Sequence, residues 1–141
     1  MITLRVRGLI IYNDKLLAVK HPGPHNHVVL PGGHVEFGED PISALIRELD
    51  EELGIKAEIG KLRYINSFLH SGDLHNVDII FDITNGHDFI NVDLETASQG
   101  YEIDHLDWLS RDTNQVFLPK QILDDFRFNT LPENVVFISD F

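Results

Sequence analysis

The chain contains no cysteine. That excludes a disulfide framework, a zinc–thiolate centre and a thiol nucleophile. Positive charge is scarce: 11 Lys and Arg stand against 23 Asp and Glu, a formal net charge of −12. No basic stripe is available to follow a phosphate backbone or an anionic membrane, so nucleic-acid polymers and membrane surfaces are excluded as expected partners. A small phosphorylated substrate is not excluded, because a bound cation can reverse the electrostatics locally. No apolar run approaches membrane-spanning length. Met1 to Arg7 alternates like a strand and does not read as a signal peptide. Internal repeats and low-complexity tracts are absent too, and a cytoplasmic location is the expectation.

What is present suits a compact fold. The sequence has 141 residues, 43% of them hydrophobic, enough for one domain over residues 1–141 with a substantial core. Ile2–Tyr12 and Lys15–His21 read as strands around an Asn13-Asp14 turn. His21 to His27 is a Pro- and Gly-rich loop. Val28–Leu30 and His34–Phe37 are expected as short strands flanking Pro31-Gly32-Gly33. A helix is expected over 41–53, then strands near 57–71 and 75–84 with Gly72-Asp73 as the hairpin signal. Asn85 to Gly100 reads as loop. A strand over 101–109, a helix over Pro119–Phe126 and a strand over Val135–Ser139 complete the chain. Strands with two helices imply an α/β (α+β) sandwich.

The helix at 41–53 is the unusual element. Asp40 suits the N-cap, Pro41 the first turn and Gly54 a left-handed C-terminal stop. Ile42, Leu45, Ile46, Leu49 and Leu53 recur at three- and four-residue steps as one apolar face. Ala44, Glu48, Glu51 and Glu52 are expected largely off it. Four acids fall between Glu48 and Glu52. Each like-charged pair one turn apart costs roughly 0.2–0.5 kcal/mol, and each acid near a helix C-terminus roughly 0.3–1 kcal/mol. A solvated acidic face could tolerate that. A divalent cation such as Mg²⁺, which takes oxygen ligands, would remove the penalty. The glycines before the helix allow backbone carbonyls to approach such a ligand.

Gly33, Glu39, Arg47, Glu48, Leu49, Glu51, Glu52, Gly54 and Ile55 fill every specified position of a known pattern. It runs Gly, five residues, Glu, seven residues, Arg-Glu, an aliphatic, any residue, Glu-Glu, any residue, Gly, an aliphatic. The segment resembles the Nudix box of Nudix hydrolases. The resemblance implies a Nudix-like α/β/α sandwich with a mixed central sheet. It also implies a Mg²⁺-dependent (or Mn²⁺-dependent) hydrolase cleaving a diphosphate bond in a nucleoside diphosphate linked to another group. Glu48 and Glu52 are the implied metal ligands. Glu51 is a further ligand or the residue that orients and deprotonates water, and the Gly32 carbonyl is another ligand candidate. Arg47 would hold a box glutamate in place. Glu39 would share that work or bind metal through water. Gly33, Glu39 and His34 are the candidate substrate contacts. A general base outside the box is expected among Asp93, Glu95 and Glu102, with Glu102 favoured at the start of a strand.

Other residues carry weaker signals. His25, His27 and His34 lie near the glycine loop and read as loop histidines or phosphate contacts. His70 and His75 flank the hairpin without a third ligand at zinc spacing. Trp108, Phe126 and Phe128 read as packing residues. Where many relatives carry a stacking tryptophan three residues before the proline, this chain has Val28. Downstream marks of the ADP-ribose, diadenosine polyphosphate and NADH-type subfamilies are missing. Nucleoside triphosphates, including oxidised ones, are therefore the favoured substrates, with ADP-ribose or a nucleotide sugar as the alternative. A non-catalytic nucleotide-sensing module is the rival of another class. A homodimer is open, with the apolar strand Val77 to Ile83 either an interface or core.

Overall fold

The protein is described by a computed structural model over residues 1–140. Strands β1 (Ile2–Leu9), β2 (Ile11–Tyr12), β3 (Lys15–Lys20) and β4 (Gly32–His34) precede helix α1 (Pro41–Leu53). Strands β5 (Ile59–His70), β6 (Leu74–Ile83) and β7 (His105–Leu109) follow, then helix α2 (Lys120–Arg127) and strand β8 (Val136–Asp140). A five-stranded sheet has the order β4-β1-β6-β5-β8, and a three-stranded sheet has the order β2-β3-β7. The larger sheet is mixed: β1–β6 and β5–β8 are parallel, whereas β1–β4 and β5–β6 are antiparallel.

The layering follows from strand alternation. On β3, Leu17 and Val19 point into a core shared with Leu45, Leu49 and Leu53 of α1. Leu16 and Ala18 point the other way, into a core shared with Ile122, Leu123 and Phe126 of α2. A strand buried on both faces reads as a continuous apolar run, which is why Leu16-Leu17-Ala18-Val19 shows no polar alternation. Trp108 packs beside the first core, as expected of it.

Local chemistry sets the boundaries. Asn13 and Asp14 both adopt positive φ, at 50° and 62°, in the turn between β2 and β3, a conformation asparagine and aspartate tolerate. The Asp40 side chain accepts from the Ser43 N–H, and Gly54 ends α1 at φ 74°. Both ends match the capping read from the sequence.

Several expectations are corrected. The glycines themselves form β4, pairing Gly32 with Arg7 and Gly33 with Val6. Val28 and Val29 make only single bridges. The cause is steric: a Cβ on Gly32 would overlap the Val6 carbonyl oxygen, so only glycine permits this approach. Ile42 is exposed, while Ala44, Glu48 and Glu52 are buried with Leu45, Leu49 and Leu53. The packed face of α1 is thus rotated toward the glycine strand, and two of its acids go inward. The late strand begins at His105, after a short 3-10 turn at Gly100–Glu102. Phe128 lies beyond α2 and is 69% exposed. β6, which contains Val77 to Ile83, is the central strand of its sheet; its edges are already paired, so that segment is core and offers no dimer edge.

Candidate active site

Helix α1 presents Arg47, Glu48, Glu51 and Glu52 to a cleft of about 540 Å³. Gly32 and Gly33 line one side of it, and Gln99 and Glu102 another. Helical spacing explains the first group, since residues three and four apart share a face.

Arg47 organises the acids. Its Nε and Nη2 donate to the two oxygens of Glu39 at 2.8 and 2.9 Å. Its Nη1 donates to Glu48 Oε1 at 3.0 Å and to Glu51 Oε2 at 3.2 Å. Nη2 also donates to the His34 carbonyl oxygen at 3.1 Å. One planar guanidinium therefore fixes three carboxylates and the end of β4, a task suited to its fork of donors. The hydrogen bonds to Glu39 and then Glu48, with the charges of both, hold the Arg47 guanidinium above its ordinary pKa. Glu39 does not line the cleft: its carboxylate is taken up by Arg47 and by the Glu36 N–H. The Arg47 bonds hold Glu39 below the usual carboxylate range. His34 does line the cleft.

Glu48 and Glu52 are in a different situation. Burial pushes the Glu48 carboxyl upward, and Arg47 only partly offsets this. Glu52 is 3% exposed and its Oε2 has no hydrogen-bond partner among the described residues. Burial, then the facing Glu48 and Glu102 carboxylates, push its pKa up to about 8. A buried, unpaired carboxylate is disfavoured unless a cation or a proton meets it. Glu102 thus comes to the site from the 3-10 turn rather than from a strand. Asp93 and Glu95 do not line the cleft; the Asp93 side chain accepts from the Glu95 N–H within its own loop.

The donor set fits a hard divalent cation. The cleft is lined by the carboxylates of Glu48, Glu51, Glu52 and Glu102, with one buried carboxylate oxygen left over. A Cβ on Gly33 would overlap the Glu48 carboxylate, so the glycine reserves the space that this side chain occupies. Among the described residues, no three such side chains already converge at metal-binding range.

The two glycines make a contrasting pair of predictions. Gly32→Ala meets backbone and a φ of 151°, and should lower unfolding free energy by about 2 kcal/mol or more. Gly33→Ala meets, at its nearest, the carboxylate end of the Glu48 side chain and not backbone. It should leave stability nearly unchanged while displacing that carboxylate and lowering activity. Urea unfolding alongside steady-state kinetics checks both.

Several cleft residues had no place in the sequence reading. Arg5 and Arg7 lie on β1, and His21 follows β3; all three line the cleft. Arg5 Nε and Nη2 donate to the two oxygens of Asp78 at 2.8 and 3.1 Å. Arg7 Nε donates to Asp78 Oδ2 at 3.2 Å, and its Nη1 to the Leu30 carbonyl oxygen at 2.7 Å. The available signal was two arginines around a buried valine in a chain poor in positive charge. His21 Nδ1 lies 3.1 Å from the Glu102 carbonyl oxygen, tying the 3-10 turn to the cleft wall. Gln99 N–H donates to the Glu51 carbonyl oxygen at 2.6 Å, docking the same turn on α1. Neither His21 nor Gln99 had a sequence signal.

The NUDIX domain model matches residues 2–129. The chain belongs to the Nudix family. A protein of Lactococcus lactis subsp. cremoris named as a probable DHNTP pyrophosphohydrolase is 41% identical over 64 residues. That stretch covers 45% of this Nudix chain and 38% of the relative, so it spans well under half of that curated protein. Two solved structures show the same Nudix fold. A MutT NUDIX hydrolase from Burkholderia pseudomallei is 20% identical at a TM-score of 0.71, covering 87% of this chain and 95% of its own. An ADP-ribose pyrophosphatase from Streptococcus suis is 19% identical at a TM-score of 0.62, covering 98% of each. No helix among the described residues is long and apolar enough to cross a membrane.

Proposed function

We propose that this Nudix protein is a divalent-metal-dependent pyrophosphohydrolase, cleaving a phosphoanhydride bond in a nucleoside diphosphate linked to another group. Nucleoside triphosphates, oxidised ones included, are its favoured class. The observation that carries this reading is the buried Glu52 carboxylate, unpaired at Oε2 and crowded by the Glu48 and Glu102 carboxylates that line the same cleft. The relative named for pyrophosphohydrolase activity supports the reaction type.

Glu48 and Glu52, with the Gly32 carbonyl and Glu51, are the proposed holders of Mg²⁺ or Mn²⁺. A bound ion supplies charge neutralisation on the diphosphate and a more acidic water. The chain's own residues do the rest. Arg47 keeps Glu48 and Glu51 in fixed rotamers, and Glu39 fixes Arg47 in turn. Glu51 orients the attacking water. Glu102, beside Glu52, accepts its proton. Arg5 and Arg7 meet the phosphates in the same cleft, where they supply fixed positive charge in an otherwise acidic molecule, and His21, whose pKa burial lowers, offers a neutral ring beside them. Gly33 and His34 border the path of the substrate.

Incubation with Mg²⁺ and a panel of nucleoside triphosphates, oxidised dNTPs, ADP-ribose, nucleotide sugars and dinucleoside polyphosphates tests this. The expected result is metal-dependent release of a nucleoside monophosphate, with triphosphates turned over fastest. Fastest turnover of ADP-ribose or a nucleotide sugar would favour the alternative substrates. Tight binding of one compound with no turnover of any would instead make the protein a nucleotide-sensing module.

A further inference from the structure

A second cleft of about 680 Å³ adjoins the first, and Arg5, Arg7 and His21 line both. Its size suits a small-molecule site. Its floor is the face of the large sheet that carries the α2-side core. Tyr64 and Ile80 belong to that core and are fully buried. Two residues further along β5, and two back along β6, the same face turns polar, at Asn66 and Asp78.

Register places these polar groups in one row. Arg5 on β1 pairs with Asp78 on β6, Asp78 with Asn66 on β5, and Asn66 with Ile138 on β8. Arg5 and Arg7 use both Asp78 oxygens, so the acid is satisfied. Asn66 is not. It is 4% exposed, it lines the second cleft, and its Oδ1 has no hydrogen-bond partner among the described residues. A buried amide oxygen without a partner is disfavoured, and an apolar residue of similar size would avoid the loss. Phe68, Leu69, Leu118 and Ile138 give the cleft apolar surface, which it shares with charged and polar residues such as Asp78 and His70. The Arg5 guanidinium lies 5.5 Å from the centre of the Phe68 ring.

We propose that Asn66 is a specificity-determining residue, which reads the hydrogen-bonding edge of a planar nitrogen heterocycle seated in this second cleft. The inference rests on the pyrophosphohydrolase reading for the orientation of the substrate. Phosphates at the glutamates lie over Arg5 and Arg7, the residues both clefts share. From Arg5 to Asn66 is two strand spacings, roughly 10 Å, a fitting reach for the sugar and base beyond the phosphates. A primary amide offers one acceptor and a pair of donors. It therefore selects a ring edge that presents a donor beside an acceptor, as nucleobases do, over one that presents neither. Phe68, Leu118 and Ile138 offer apolar surface for the ring faces.

Asn66→Ala and the milder Asn66→Ser test this. Each is assayed on the nucleotide panel and on the same phosphate chain carried by ribose without a base. The expected result is a 10- to 100-fold loss in kcat/KM for the preferred nucleotide, mainly through KM. Turnover of the base-free compound should be unchanged, and discrimination among bases should flatten. An unchanged ranking of bases in a folded variant would overturn the inference, since Asn66 would then be a structural amide. A second readout does not depend on hydrolysis. Free nucleosides titrated into wild-type protein should shift the Asn66 side-chain NH2 resonances, and the affinity should fall at least tenfold in Asn66→Ser. Hydrolysis without base-dependent binding sinks only this inference. Base-dependent binding without hydrolysis sinks only the pyrophosphohydrolase reading.

Discussion

Glu52→Gln is expected to lower kcat by roughly 10²-fold or more, because substitution even of groups that merely support a metal ligand costs roughly 10- to 100-fold. The fold should survive, since the amide keeps the shape of the side chain. The same variant carries a sharper signature in metal-free protein. The Glu52 carboxyl is pushed up to about 8, chiefly by burial, against an unfolded value near that of an ordinary glutamate. The folded chain therefore holds a proton that the unfolded chain releases. Stability contributed by the protonated group is full at low pH and lost as pH rises toward 8. Its slope is about 1.4 kcal/mol per pH unit between the two values. Urea unfolding in EDTA should show wild type losing stability across this window more steeply than Glu52→Gln. The variant should then be the more stable protein at pH 8. Adding a divalent cation should reverse that order, because wild type gains binding energy that the amide cannot match. Parallel pH profiles in EDTA would sink the description of Glu52 as a strained, buried carboxylate.

Arg47→Ala should produce the second large loss, about 10- to 100-fold in kcat/KM. The guanidinium holds Glu39, Glu48 and Glu51 and the His34 carbonyl together, so its removal frees several groups at once. Arg47→Lys should rescue little, since a single ammonium cannot reproduce a forked contact with Glu39 while bridging the other two acids. The pH–rate profile separates positioning from mere support of the fold. Arg47 opposes the upward push of burial on Glu48. Without it the Glu48 carboxyl rises further, and the acid limb of the profile should move to higher pH. An unmoved limb with reduced kcat would show that Arg47 does not tune Glu48.

The contiguous part of the site was legible because a helix converts spacing into geometry. Arg47, Glu48, Glu51 and Glu52 share a cleft for the same reason that their positions differ by one, three and four. Which of them would be buried was less legible. Glu48 and Glu52 read as off the apolar face, yet both are buried, because α1 packs on a glycine strand that leaves room for carboxylates. Glu39 lay within the motif, but its full engagement by Arg47 depends on how the loop folds back over the helix.

The sequence by itself determined the helix, its caps, the acidic cluster and the Nudix family. All of these depend on residues within a few turns of one another, where propensity and periodicity act directly. Tertiary structure alone decided that Arg5, Arg7 and His21 face those glutamates and that Asn66 lies in one row with Asp78 and Arg5. The strand register that sets Arg5 beside Asp78 joins segments more than seventy residues apart. A slip of one residue would turn each side chain to the other face of the sheet. Local periodicity carries no record of which strand lies beside which. The sequence therefore pointed to the bond that this protein is proposed to cut, and the sheet supplied the place where the rest of the proposed substrate would be read.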